Sequence, residues 1–237
     1  MTLPSAAKCL TALDATWPAK RAWTDGDWFL RDGAGGGKRV SAATPLRPDA
    51  DPEAGEAAMR AACMTPLFRL GPQESCLGAR LMDMGYSAFD HSLIYAASVT
   101  TLAAQPPAVS LFQIWPPLAI MREIWSEGGI GPARIDVMDR AAPPGTGFVA
   151  RLQDRVAGVA FCGISDSIAM LHAVEIAPAY RRKGVATIIL RGAAHWAQTQ
   201  GAVWFSLAVT AANTPARRLY ERAGLQIVTE YQYLQKD

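Results

Sequence analysis

The residues with the greatest capacity for chemistry fall between positions 171 and 220. His172 and Glu175 can exchange protons, and Tyr220 can donate one. Three cations, Arg181, Arg182 and Lys183, stand directly before Gly184. They follow a run containing Leu171, Ala173, Val174 and Ile176, whose apolar and β-branched character predicts a strand over 168–176. Pro178, which has no N–H to donate, ends that ladder. Beyond the cations, Val185, Ile188, Ile189, Gly192, Ala193, Trp196 and Ala197 fall at helical spacing and predict a helix over 185–198. A strand, a glycine-containing loop and a helix start together make an anion site. The free N–H groups of the first turn point into the loop, and the helix dipole favours negative charge there. The ligand this implies is phosphate-rich, most simply a pyrophosphate wrapped by Arg181, Arg182, Lys183, Gly184, Val185 and Ala186. The plainer alternative is an ordinary strand–helix connection with a solvated basic loop.

The run R-R-K-G-V-A resembles the acetyl-CoA pyrophosphate loop of the GNAT superfamily of N-acetyltransferases, Q/R-x-x-G-x-G/A, with Arg181, Gly184 and Ala186 in the matching places. Farther on, A-N-T-P-A-R-R-L-Y-E-R-A-G-L resembles the superfamily's N-x-x-A-x-x-L-Y-x-x-x-G-F. Asn213, Ala216, Leu219, Tyr220 and Gly224 fall in place, and Leu225 stands for the usual Phe. The resemblance implies a mixed α/β fold of the GNAT acyl-CoA N-acyltransferase type. It implies acetyl-CoA as acyl donor, an amine acceptor and direct attack in a ternary complex. It places Tyr220 next to the CoA sulfur, Asn213 on the pantetheine arm or the loop backbone, and the backbones of Val174 and Ile176 along the pantetheine. The strand resembles that of serotonin N-acetyltransferase, where a histidine at the His172 place helps move the substrate proton. Glu175 is the second candidate base, or a counter-ion for the amine. Three residues apart on one strand, His172 and Glu175 point to opposite faces unless a bulge intervenes, and the superfamily usually has one here.

The elements that must position these groups read as follows. Helix 118–126 carries Leu118, Met121, Ile124 and Trp125 as its apolar stripe, and 135–138 reads as the first strand of the second half. A hairpin of 148–153 and 156–164 turns at Asp154-Arg155. Strand 203–209, helix 215–223 and strand 226–233 complete this half, with Thr214 as N-cap and Gly224 as the helix stop. In the first half, 3–16 reads as a helix. Strand 28–31 reads as paired with 38–42 across a glycine turn at 33–37, a stretch that fits neither a Walker loop nor a dinucleotide fingerprint. Helix 51–63, strand 66–70, helix 74–84 and strand 92–99 follow, with 106–117 as a linker. This order echoes the second half without its basic loop. We therefore expect two GNAT-like lobes in tandem: a degenerate one over 1–108 and an acetyltransferase domain over 109–237. A packing domain without a ligand is an equal alternative for the first.

The chain has 237 residues, half of them apolar, and a formal net charge of +2. Nothing in that balance points to nucleic acid or to an anionic membrane. Cys9, Cys63, Cys76 and Cys162 are scattered without a C-x-x-C pair, and no signal peptide is evident, so the chain reads as cytoplasmic with reduced thiols. Prolines and polar residues break the apolar stretch 92–121, which does not read as a membrane span. His91, His172 and His195 are dispersed, so no metal is expected. The sequence leaves oligomeric state open, a homodimer included, and does not name the amine. A non-catalytic CoA-binding or regulatory protein is the alternative function, and an O-acyltransferase a more distant one.

Overall fold

The computed structural model describes residues 2–236. In chain order the first half contains α1 (Ala6–Thr16), β1 (Arg21–Asp25), β2 (Trp28–Asp32), β3 (Thr44–Pro45), α2 (Pro52–Ala61), β4 (Leu67–Leu70), α3 (Ser75–Asp83), β5 (Ser87–Ser98) and α4 (Val99–Leu102). The second contains β6 (Leu111–Gln113), α5 (Ala119–Glu127), α6 (Pro132–Arg140), β7 (Gly145–Leu152), β8 (Arg155–Ser165), β9 (Ile168–Ile176), α7 (Val185–Thr199), β10 (Trp204–Thr210), α8 (Thr214–Arg222) and β11 (Gln226–Gln235). Helix starts follow local chemistry. Ser5 accepts from Lys8 N to cap α1, and Asp51 accepts from Ala54 N to cap α2, with Pro52 at the first helical position.

Strands β1, β2 and β3 form a small antiparallel sheet. The other eight form one sheet in the order β4-β11-β5-β10-β9-β8-β7-β6. Every neighbouring pair in it is antiparallel except β9 and β10. That parallel pairing runs only from Ile168 opposite Trp204 to Leu171 opposite Leu207. Beyond it β9 continues to Ile176 and β10 to Thr210 without pairing to each other, so the two strands splay and open the sheet. In β9 there is also a bulge. Val159 of β8 faces Glu175 and Phe161 faces His172, so β9 carries one residue more than its partner, and Ala173 takes φ +50.

Helix α7 covers one face of the sheet, where Val185, Ile189, Ala193 and Trp196 pack on Phe148, Leu171 and Phe205. The other face carries α1, α5 and α6, with Trp125, Val137 and Met138 against Val159 and Phe161. Gly163 lets α1 come close to β8, because a Cβ there would stand 2.9 Å from Thr16 Cβ. A third cluster in the first half gathers Trp28, Phe68 and Met59, and a Cβ on Gly55 of α2 would meet the Trp28 ring at 2.5 Å.

The two halves share the large sheet. β11 lies between β4 and β5, the last strands of the first half, and β5 lies between β11 and β10, the last strands of the second. The alternation β3–α2–β4–α3–β5 repeats as β9–α7–β10–α8–β11.

Three expectations need correction. β2 pairs with β1, turning at Gly26 with φ +55, and with β3, while 38–40 is a short 3-10 turn. The 33–37 glycines therefore form a loop rather than a hairpin. Residues 135–138 lie inside helix α6, opened by Pro132; Ile135, Val137 and Met138 are the buried side of a helix whose short apolar run mimics a strand. The segment 106–117 contains β6, which pairs with β7 at the sheet edge.

Candidate active site

A cleft of about 480 Å³ opens where β9 and β10 part. Leu171, His172, Ala173 and Val174 line it from β9, and Leu207, Ala208, Val209 and Thr210 line it from β10. Asn213 and Tyr220 close one side, and Trp17, Lys38, Arg39 and Arg134 stand on another.

The basic loop lies at the start of α7. Gly184 is the N-cap residue at φ +83, and Arg182 before it also takes a left-handed φ of +64. The first-turn hydrogen bonds to Gly184 O come from Thr187 N and Ile188 N, which leaves the N–H groups of Gly184, Val185 and Ala186 directed ahead of the helix. A Cβ on Gly184 would meet no protein atom within 4 Å, so a ligand can approach the bare backbone. The Arg181 side chain is committed elsewhere: Nε donates to Ile176 O at 3.1 Å and a terminal nitrogen pairs with Glu175 at 3.1 Å. Arg182 is exposed, and Lys183 Nζ lies 5.6 Å above the Tyr180 ring.

The bulge decides where the candidate bases point. With an extra residue at Ala173, His172 and Glu175 face the same side of the sheet, the one covered by α1 and α5. His172 is buried between Trp17 and Phe161. Its Nε2 lies 2.8 Å from Thr16 Oγ1, whose hydroxyl already donates to Ala12 O at 2.7 Å. Thr16 can then only accept, so Nε2 carries the ring proton and Nδ1 the lone pair. Arg39 approaches that lone pair at 3.4 Å. Burial, with the Arg39 charge added, holds the His172 pKa well below the ordinary imidazole range. Glu175 is not part of the cleft lining; its carboxylate engages Arg181 and crowds Gly128, where a Cβ would stand 2.5 Å from Cδ.

Tyr220 is buried in α8, and burial alone pushes its pKa up to about 12. Its helix is held by a first-half residue: Tyr95 of β5 donates to Glu221 at 2.8 Å and accepts from Arg217 Nε at 3.3 Å. The Asn213 Oδ1 accepts from Ala216 N at 3.2 Å, so Asn213, rather than the expected Thr214, caps α8. Val174 and Ile176 occupy the part of β9 that β10 leaves unpaired.

The profile of the acetyltransferase (GNAT) family matches residues 115–225. Residues 115–225 thus carry a GNAT-type domain as that profile describes it. The whole chain has the GNAT fold, as similarity to solved structures shows. A GCN5-related N-acetyltransferase from Kribbella flavida superposes with a TM-score of 0.72 at 18% identity, over 99% of this chain and 96% of that one. A functionally unknown conserved protein from Staphylococcus epidermidis gives a TM-score of 0.68 at 10% identity, over 94% and 96%. A tandem GNAT protein from the clavulanic acid biosynthesis pathway gives 0.59 at 15% identity, over 98% and 89%. No curated protein matches the sequence. A domain of this type implies acyl transfer from an acyl-CoA. Among the described residues no group of three His, Cys, Asp or Glu is placed to hold a metal ion, and no helix is long and apolar enough to cross a membrane.

Of the expected site residues, His172, Val174, Asn213 and Tyr220 line the cleft, whereas Glu175, Ile176 and the 181–186 loop lie outside its lining. The opposite wall was missed: Trp17, Arg39, Gly128, Arg134, Tyr231 and Tyr233 come from separate segments whose spacing carries no code.

Proposed function

We propose that the protein transfers an acetyl group from acetyl-CoA to a primary amine in a ternary complex. The observation that carries this is the combination of three features: an α7 N-terminus with bare backbone at Gly184, a stretch of β9 left unpaired by β10, and Tyr220 lining the cleft where the two strands part. The diphosphate lies on the N–H groups of 182–186, with Arg182 and Lys183 supplying charge and Glu175 holding Arg181 to β9. The backbones of Val174 and Ile176 pair with pantetheine, and Asn213 fixes the start of the helix that bears Tyr220.

The amine nitrogen attacks the thioester carbonyl and a C–N bond forms. The tetrahedral intermediate then expels the thiolate. Tyr220, still protonated at neutral pH, gives its proton to the departing sulfur, and Nδ1 of His172 takes the proton lost by the amine. Thr16 fixes the tautomer that makes this nitrogen the acceptor. A binder without catalysis would not need an unpaired phenol at the splay, which favours the enzyme over a regulatory CoA protein.

The first half is proposed to be a degenerate GNAT-like lobe over 1–108, joined to the working domain 109–237. Its α2 begins with the Asp51 carboxylate in the N-cap, where a diphosphate would meet like charge, whereas α7 begins with Gly184. The test is calorimetric binding of CoA, followed by thiol release from acetyl-CoA across a panel of amines. Binding abolished by Gly184→Val, together with turnover for at least one amine, supports the reading. Binding unaffected by that change would show that the loop has been misassigned.

A further inference from the structure

One wall of the cleft is cationic, and of its three cations Lys38 alone has a carboxylate partner among the described residues. Lys38, Arg39 and Arg134 line it beside Trp17, Tyr231 and Tyr233, and among the described residues no Asp or Glu lines the cleft. Neighbouring cations are treated differently. Arg31 and Arg69 both bond the Asp14 carboxylate, at 2.6 Å and 2.8 Å, and Lys38 pairs with Asp90 outside the lining. Arg39 and Arg134 have no carboxylate within 4 Å among the described residues. Arg39 lies 5.8 Å over the Trp17 ring, approaches the His172 lone pair at 3.4 Å and faces the neutral Tyr231 and Tyr233 hydroxyls rather than an acid, while its Nε is buried with no acceptor. Among the described residues the one protein acceptor of Arg134 is Gly129 O, at a long 3.4 Å. Gly36 and Gly37 keep the wall free of side chains, and a Cβ on Gly37 would stand 3.2 Å from Arg134 Nε.

A part-buried guanidinium without a counter-ion is unfavourable unless the missing partner arrives with a ligand. The planar fork matches a carboxylate or phosphate, which it bonds in pairs. Building on the acyl-transfer reading, we propose that the acceptor amine carries an oxyanion, a carboxylate in the first instance, gripped by Arg39 and Arg134 with Lys38 beside them. The acceptor is then amino-acid-like rather than a simple alkylamine. The same contact links recognition to chemistry. The guanidinium that grips the oxyanion is the one resting on Nδ1 of His172, so an anionic acceptor draws it off the lone pair that receives the amine's proton.

The test compares matched acceptors: ω-amino acids from β-alanine to 6-aminohexanoate, common α-amino acids, the corresponding alkylamines, and aminoalkylphosphonates. Thiol release gives kcat/KM, and calorimetry with CoA present gives the affinity of the N-acetyl products. We expect a carboxylate to gain roughly 10- to 100-fold over its matched alkylamine, as charge-assisted bonds to a guanidinium allow. Arg39→Met should remove most of that ratio through KM, Arg39→Lys should restore part of it, and Arg134→Met, at a more exposed position, should reduce it if the first variant folds poorly. A still higher preference for phosphonates would assign the oxyanion to a phosphate. Equal use of acids and alkylamines, or a ratio unmoved in both methionine variants, would overturn the proposal. Failure of acetyl transfer itself would show as no CoA binding, and the N-acetyl product affinities would still judge the oxyanion site.

Discussion

Tyr220 lines the cleft, and burial pushes its pKa up to about 12. It therefore keeps its proton through the working range and can protonate a thiolate. Tyr220→Phe should lower kcat about 100-fold, the lower end for removal of a general acid, with CoA affinity unchanged; stopped-flow thiol detection and calorimetry separate the two. His172 makes a different prediction. Its folded pKa lies below the unfolded value of about 6.5, so the unfolded chain binds the extra proton as pH falls. The stabilising contribution is complete above that pH and declines below it, by at most about 1.4 kcal/mol per pH unit. Chemical denaturation between pH 5 and 7 should show that slope, and His172→Gln should flatten it. Identical slopes would mean that His172 is not held neutral. At this scale the sequence showed which types of group are present but not their commitments. The Asn213 oxygen is taken by its own helix, and nothing near position 16 announces a threonine bonded to a histidine of the second half.

The loop and α7 work as an element because the chain turns at one glycine. A β-branched residue at Gly184 would have to adopt φ +83, a left-handed conformation that costs about 1–2 kcal/mol. The protein should still fold, since no atom stands within 4 Å of the added Cβ, but the diphosphate would meet that side chain. Gly184→Val should thus lower the melting temperature slightly and abolish CoA binding. Gly128→Ala tests the support behind the loop: its Cβ would displace Glu175 and loosen Arg181, raising KM for acetyl-CoA several-fold in steady-state kinetics. Elements with long periodic patterns were legible, including α7, the β7–β8 hairpin and β9. The bulge was legible only through the resemblance, since alternation alone puts His172 and Glu175 on opposite faces. Short apolar runs were not legible, because 135–138 satisfies strand and helix alike until Pro132 and burial choose the helix. The splay left no trace in the residues either, as it is set by where pairing to a distant strand stops.

On the scale of the whole molecule, β5 contacts β10 over seven register pairs, from Trp204 opposite Ser98 to Thr210 opposite Ser92, and pairs with β11 on its other edge. The fragment 109–237 expressed alone would leave facing edges of β10 and β11 open, which favours aggregation. It should lack a cooperative melt, and co-expression with 1–108 should restore solubility; a soluble, cooperatively folding fragment would contradict the shared sheet. Asp14 joins Arg31 and Arg69 across the first half. Burial by itself would raise its pKa, but the two guanidiniums outweigh it and hold it low. Asp14→Asn would strand two buried cations and should destabilise by about 3 kcal/mol in urea titration.

The interleaving also sets what an ancestor of such a protein could discard. Even if the leading half held no ligand, excising it would strip β5 from between β10 and β11 and unzip the trailing half. Whatever the leading half binds or lacks, it stays on as fabric for the trailing one.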